Sequence, residues 1–529
     1  MEEISSFAGS VRNVLFIMCD QLRADHLSCY GAGKGALHTP NIDRIASRGA
    51  RFERAYVTSA VCGPSRTSYY TGRYPLSHRV TWNRVPMPVD ELSLGDYLEQ
   101  AGRSCWLLGK THFMPDRLSV KERRWTMPEA ARALFDEGGF TPIERYDGHF
   151  EPEAGSPYRQ YLLDKGYESE RPWSDFVIGS RLADGSVTSG WYMRNAGLPA
   201  QVRAEDSETA YLTDRAMSFI EARGEDPWVL HLSYIKPHWP YKAPAPYHDL
   251  FGSEDCRAPV RAQRERTNGH PVHLAYQQQE ESLSFAQDDV WRAIRPVYMG
   301  LVKQIDDQIG RLLDHLERLG RLDDTLIIFT SDHGDFLGDH WLGEKEYFFE
   351  PAIRVPLLIH DPASAHKGPQ VFNEFVECID IVPTILDAVG IVPPEHRIEG
   401  VSLLPLMRHG TSAGWRDYAV GSLDYAYREA RQILGRDPAA CHGMMIREGR
   451  YKYMHWQDYR PQLFDLHDDP DELCDLGRDP ALERVRSRMR DALIDWNDKR
   501  KTRATETYEQ VKQRTHAHER LMNILIGRW

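Results

Sequence analysis

Short apolar runs that end in polar pairs set the pattern of this chain. Residues 13–19, Asn-Val-Leu-Phe-Ile-Met-Cys, predict a buried strand, and the run stops at Asp20-Gln21. Trp228 to Tyr234 and Val355 to Ile359 read as further strands. Thr325 to Thr330 reads as another and leads directly into Ser331-Asp332-His333-Gly334. Elsewhere the period changes. Pro40 to Ser47 predicts a helix with Thr39 as its N-cap and Pro40 in its first turn. Tyr298 to Leu319 predicts a long amphipathic helix, with Leu301, Ile305, Ile309, Leu312 and Leu316 at helical spacing. Alternating strands and helices predict an α/β sheet covered on both faces. Ligands of such sheets gather at the carboxyl ends of strands, where Asp20-Gln21 and Asp332-His333 both fall.

The pattern weakens between Pro115 and Ala210, which is rich in Gly, Pro, Asp and Tyr. It reads as inserted loops and short helices, a candidate substrate lid within a catalytic domain of residues 1–400. From Val401 the character changes. Gly443 to Trp456 and Gln462 to Leu466 predict short strands with turns at Glu448-Gly449 and Asp468-Asp469-Pro470, and Arg484 to Trp496 predicts a helix. Residues 401–497 are therefore expected to form a smaller C-terminal subdomain of antiparallel sheet plus helix. The polar tail, residues 498–529, is expected to serve as an oligomerisation arm.

Composition narrows the function classes. The 529 residues carry 65 Lys and Arg against 78 Asp and Glu, a net charge of -13, which disfavours nucleic acid as a general partner. A local cationic cluster can still hold a small anion. No run of about 18 apolar residues predicts a membrane span. The first residues, Met-Glu-Glu-Ile-Ser-Ser-Phe-Ala, lack the basic start and apolar stretch of a secretory signal. Cys19, Cys29, Cys62, Cys105, Cys256, Cys378, Cys441 and Cys474 are scattered without a CxxC pair. Neither a disulfide framework nor a structural zinc site is expected, and a reducing cytoplasm is the natural compartment.

Cys62-Gly63-Pro64-Ser65-Arg66 carries the most chemistry. Pro64 suits the first turn of a helix and Gly72 its end. Cys62 would then lie at a helix N-terminus that favours an anion, with Arg66 one turn in and its forked donors suited to sulfate or phosphate oxygens. A buried structural cysteine before a helix fits these five residues equally well.

The same five residues resemble the signature Cys-x-Pro-x-Arg of the sulfatases, the formylglycine-dependent branch of the alkaline phosphatase superfamily. The run Thr67-Ser68-Tyr69-Tyr70-Thr71-Gly72-Arg73 continues that likeness. The resemblance implies a large mixed sheet flanked by helices, and oxidation of Cys62 to formylglycine by a separate formylglycine-generating enzyme. One hydroxyl of the hydrated aldehyde attacks sulfur, aided by a metal. The second hydroxyl drives collapse of the covalent sulfo-enzyme. By the same resemblance Asp20, Gln21, Asp332 and His333 join Cys62 around one divalent cation. His333 stands where most sulfatases place Asn and bind calcium, so its imidazole favours Mn²⁺, with Ca²⁺ as the alternative. Lys110-Thr111-His112 resembles the Lys-x-His element: Lys110 would hold a sulfate oxygen, and His112 would take the proton that triggers collapse. His238, in Lys236-Pro237-His238-Trp239-Pro240, would bind the ester oxygen, and Lys345, in Gly343-Glu344-Lys345, would clamp the sulfate. Arg450-Tyr451-Lys452-Tyr453 and Leu463-Phe464-Asp465-Leu466 resemble the family's C-terminal subdomain.

The overall likeness is to bacterial phosphonate monoester hydrolases and the related arylsulfatases. These share the Asp-Gln and Asp-His pairs and an Asn matching Asn83, here a substrate-binding residue by analogy. The phosphonate hydrolases carry Tyr-x-Thr where this chain has Lys110-Thr111-His112, which tilts the expectation toward sulfate monoesters, as in an arylsulfatase. Hydrolysis of phosphonate monoesters or phosphodiesters at the same site is the alternative. Two further readings are a non-catalytic binding protein of this fold and a two-metal phosphatase using Ser65 or Thr67. The relatives' assembly implies a homodimer or homotetramer.

Overall fold

A computed structural model describes residues 11–31, 35–410 and 414–515, together with 517 and 521. The N-terminal stretch read for a signal lies largely outside these residues, as does most of the tail beyond 515. Eight strands form the main sheet: β1 (Asn13–Asp20), β2 (Ala50–Tyr56), β3 (Cys105–Gly109), β4 (Thr141–Arg145), β5 (Val229–Pro237), β6 (Thr325–Ser331), β7 (Leu357–His360) and β8 (Gln370–Glu377). Their order across the sheet is β8-β2-β7-β6-β1-β5-β3-β4. The five strands from β6 to β4 are parallel, whereas β7 runs antiparallel to both neighbours. The expected large mixed α/β sheet is thus present.

Every residue of β1, β5 and β6 is buried, which is why these strands read as continuous apolar runs. Alternate side chains of β1 serve two layers. Val14, Phe16 and Met18 join the core that contains Tyr69 and Tyr70 of α2 (Cys62–Thr71). Leu15, Ile17 and Cys19 join the core on the other face. That core includes Ile42 of α1 (Pro40–Ser47), Leu212 of α3 (Glu208–Arg223) and Ile305 of α4 (Asp288–Arg318).

Three sequence expectations change. Thr39 makes no side-chain cap on α1, because its hydroxyl accepts from the Ser28 amide at 2.9 Å. Asp306 of α4 caps that helix instead, accepting from the Asn41 and Ile42 amides at 2.9 Å each. The long helix starts at Asp288, ten residues before Tyr298, and carries Pro296 within it. The stretch from Pro115 to Ala210, read as inserted loops, also supplies the edge strand β4.

Four antiparallel strands follow: β9 (Tyr418–Asp424), β10 (His442–Glu448), β11 (Tyr451–Trp456) and β12 (Gln462–Asp465). α5 (Glu483–Asp498) packs beside them. Lys452 of β11, fully buried, donates to Phe348 O at 2.9 Å and pairs with Glu350 and Glu472 at 2.8 Å each. The residues after α5 bind their own chain: Arg397 Nη1 donates to Ala504 O at 2.9 Å, and Lys501 Nζ to Glu395 O at 2.6 Å.

Two core histidines make the fold sensitive to acid. His231 stacks on Phe16 with ring centres 4.5 Å apart, and burial pushes its pKa down to about 3. Burial, with Arg73 nearby, lowers His78 to about 3 as well. An imidazole that folds neutral leaves stability intact above its unfolded pKa of about 6.5; stability is lost as pH falls from there toward the folded value. We expect about 1.4 kcal/mol lost per pH unit per imidazole in that window. Urea midpoints should fall steadily from neutral pH to about pH 5, and His231→Gln should flatten the slope; an unchanged midpoint in the parent would refute this.

Candidate active site

The chemistry-bearing side chains sit at the carboxyl ends of the five adjacent parallel strands. Asp20 ends β1, and Asp332-His333 follow β6, paired beside it with Cys19 opposite Ser331. His238 follows β5, Lys110 follows β3, and Asp147 and His149 follow β4. Gly109 (φ 97°) makes the turn at β3 possible, because a Cβ there would lie 2.0 Å from Ser233 O. Cys62 opens α2 beneath them and Gly72 ends that helix in the left-handed region.

Ligand atoms of Asp20, Cys62, Asp332 and His333, all buried, lie within 4.8 Å of one another. Asp20 Oδ1 is buried without a hydrogen-bond partner and faces His333 Nε2 at 3.7 Å. An orphaned carboxylate oxygen among such neighbours fits a divalent cation. His333 Nδ1 contacts Gly334 O at 2.9 Å, which leaves Nε2 directed at Cys62 Sγ, 3.1 Å away. Burial opposes charge on His333, but Asp332 and Cys62 outweigh it and push its pKa up to about 9.

Gln21 sits at φ 69°, a strained backbone for a side chain of its size. Its Nε2 donates to Asp335 Oδ2 at 2.6 Å and lies 3.4 Å from the Tyr241 hydroxyl. The amide oxygen is thereby turned inward, within 3.4 Å of Lys345 Nζ. Asp335 escaped the sequence reading although it lies two residues beyond His333.

Arg66 departs from expectation. Its Nε donates to Asp332 Oδ2 at 2.7 Å and its Nη2 reaches Asp20 Oδ2 at 3.3 Å. Nη1 donates to Lys110 O and Ser233 Oγ at 2.8 Å each. The fork is therefore spent on the protein: Arg66 ties the two carboxylates together and presents no free donor pair to a substrate. Asn83 likewise turns its Oδ1 to the Gly63 amide at 2.7 Å, holding the first turn of α2.

Two lysines bring positive charge to Cys62. Lys110 Nζ pairs with Asp20 Oδ2 and donates to His149 Nε2 at 2.6 Å. Lys345 Nζ contacts Glu344 Oε1 at 3.0 Å and His238 Nε2 at 3.2 Å. Burial raises the Cys62 pKa, yet Lys345, Lys110 and His333 outweigh it and hold the thiol well below its usual range. His112 stands at φ 52°, its amide bonded to Asp147 Oδ1 at 3.1 Å, and its buried Nδ1 has no partner. Burial and Lys345 lower the pKa of His238.

His149 was not foreseen. Its ring meets His238 edge-on at 4.8 Å and His112 at 5.6 Å. With Asp20 and His238 it forms a second set of close ligand atoms, but Lys110 already places an ammonium between Asp20 and His149. Ser65 donates to Asp332 O and Thr67 to Gly63 O, so neither hydroxyl is free to serve as a nucleophile.

Known proteins resemble this chain in sequence and fold. The sulfatase family profile matches residues 12–391, and the C-terminal profile of N-sulphoglucosamine sulphohydrolase matches residues 338–499. The chain is 33% identical to the multifunctional alkaline phosphatase superfamily protein PehA of Trinickia caryophylli, over 89% of this chain and 92% of that one. It is 31% identical to choline-sulfatase of Rhizobium meliloti, over 88% and 83%. Phosphonate monoester hydrolase SpPMH from Silicibacter pomeroyi superposes with a TM-score of 0.80 at 29% identity, over 92% and 95%. With the profile spanning most of its length and these carboxylates, lysines and Cys62 in one buried cluster, this chain belongs to the sulfatase family of hydrolases, in the alkaline phosphatase superfamily.

Proposed function

We propose that this protein hydrolyses sulfate monoesters at Cys62 after its conversion to formylglycine, with one divalent metal held by Asp20, Gln21, Asp332, His333 and residue 62. The observation that carries the reading is the buried cluster of Asp20, Cys62, Asp332 and His333, with Asp20 Oδ1 unpartnered and the buried ammonium groups of Lys110 and Lys345 beside it. Sγ of Cys62 stands in for the hydroxyl oxygens of the hydrated aldehyde. When present, the aldehyde supplies the attacking hydroxyl and a second one for release, and the metal, Mn²⁺ in our reading and Ca²⁺ in the alternative, favours the ionised form of the first.

The chain's own residues supply the rest. Lys110 and Lys345 neutralise charge on the transferring group's oxygens. The neutral His238 ring accepts from Lys345, so the leaving oxygen meets this pair as a hydrogen-bond source. His112, with its unpartnered Nδ1, takes the proton from the second hydroxyl. Arg66 keeps Asp20 and Asp332 in place and meets no substrate atom. Asn83 binds substrate in our reading through the half of its amide not given to Gly63.

Phosphonate monoester or phosphodiester hydrolysis is the second reading, favoured by the likeness to the phosphonate hydrolase structure. Both esters are tetrahedral monoanions, so one cationic pocket accepts either. None of the eight cysteines forms a disulfide, which fits a reducing cytoplasm; recovery of the protein outside the cytoplasmic fraction would overturn that placement. Among the described residues no helix is long and apolar enough to cross a membrane. We also infer a homodimer or homotetramer, which sedimentation equilibrium should show and a monomer would overturn.

Further outcomes are expected of the metal site and of turnover. Asp335→Ala frees the Gln21 amide to rotate and should weaken divalent-ion binding about 10–100-fold by calorimetric titration. Mn²⁺ should restore the chelated enzyme better than Ca²⁺, and His333→Asn should narrow that gap; an Asp335→Ala protein that binds as tightly as the parent removes the amide from the site. Protein co-expressed with the formylglycine-generating enzyme should turn over an aryl sulfate faster than the matching aryl phosphonate monoester, and the opposite order by several orders of magnitude moves the assignment to the second reading. His112→Ala should release one burst of phenol and then turn over about two to four orders of magnitude more slowly. Wild-type turnover of the variant would exclude His112 as the base.

A further inference from the structure

We propose that the cavity behind His238 and Lys345 receives a positively charged alcohol part of the ester, an organic ammonium group with apolar surface. The inference rests on the ester-hydrolase reading and adds the class of leaving group.

The cavity holds about 310 Å³ and is walled by Trp191, Trp239, Tyr241 and Phe285. Trp191 and Trp239 meet edge to face, 5.1 Å between ring centres at 84°. Trp239 is also the partition to the reactive centre. Its ring lies parallel to His238 at 5.7 Å, and its Nε1 donates at 2.8 Å to Glu344 Oε1, the carboxylate that contacts Lys345. A leaving group held against His238 therefore has this aromatic space as its neighbour.

The charge of the lining selects among occupants. Glu280, Glu281 and Glu344 face one guanidinium, that of Arg428. Arg428 is already committed, paired with Glu281 and, at 2.8 Å, with Glu346. Glu280 is exposed and forms no ion pair among the described residues. At the neighbouring Glu346, burial outweighs Arg428 and, with Glu344 and Glu281 adding to it, pushes the pKa up to about 8. The reactive centre has the opposite sign, from Lys110 and Lys345. An ester with a sulfate at one end and an ammonium at the other matches both potentials at once. A neutral aryl group would fill the aromatic walls and leave Glu280 unanswered, and an acidic one would be repelled. A compact metal ion would gain nothing from indole faces, which attract a bulky, weakly hydrated cation.

A pair of shape-matched esters tests this: meta-trimethylammoniophenyl sulfate and meta-tert-butylphenyl sulfate, with the matured, metal-loaded full chain. The ratio of their kcat/KM values is compared between the parent and the variants Glu280→Gln and Trp191→Leu. Intrinsic leaving-group chemistry is common to all three proteins, so a change in the ratio reports the cavity. We expect the preference for the ammonium ester to fall about three- to ten-fold in each variant. A ratio unchanged in both variants overturns the proposal. Calorimetry with phenyltrimethylammonium, which is not turned over, separates the two readings. Binding in the parent that weakens in the variants supports the cation site even if neither ester is cleaved, an outcome that would strike only at the hydrolase reading. No binding in the parent overturns the cation site whatever is cleaved.

Discussion

Asp20 and Asp332 lie fully buried at the ends of neighbouring parallel strands, where two carboxylates repel each other strongly. The surrounding structure answers that repulsion with cations. Arg66 bridges the two acids from below, Lys110 pairs with Asp20 from the side, and a divalent ion fits above, against Asp20 Oδ1. Each answer fixes another part of the site. Arg66 cannot reach both acids unless α2 starts where it does, which sets Cys62 under the metal cluster. Lys110 cannot reach Asp20 unless β3 turns sharply at Gly109.

Much of this was legible because the central strands are buried on both faces. β1 and β6 appear as apolar runs, and their abrupt polar endings mark the rim where Asp20 and Asp332 meet. The helix after Cys62 was equally visible from Pro64 and Gly72. Strands with one solvated face were not. β2, Ala-Arg-Phe-Glu-Arg-Ala-Tyr, mixes charge with apolar residues, and β4 carries Pro142 at the sheet edge. α4 extends ten residues before the expected start, and Pro296 lies in the ninth position of the continuous helix, where a proline ordinarily interrupts one.

The site residues divide in a similar way. The resemblance to the sulfatases, followed in residue type and chain order, picked out Cys62, Asp20, Gln21, Asp332, His333, Lys110, His238 and Lys345, which the fold brings together. Direction was not legible. Arg66 looked like an anion fork, but two buried acids claimed it first, since leaving them unpaired would cost more than any contact with a transient ligand. His149 lies in a stretch with no periodic pattern, and its contact with Lys110 spans 39 residues of sequence. Only the pairing of β4 with β3 places it.

The edge position of β4 has a consequence for how such a protein can change. The chain leaves that strand, drops His149 beside Lys110, wanders through the ribbon of Gly179–Arg181 and Val187–Ser189, and delivers Trp191 to the outer cavity before rejoining the sheet through α3. One excursion therefore carries a fixed end and a free end. The fixed end is anchored by strand pairing and reaches Lys110; the free end reaches the outer cavity, where Trp191 meets Trp239. Lengthening or recombining the free end can retune which alcohols are accepted while the bond-breaking apparatus stays untouched, so the two properties can be selected, or engineered, one at a time.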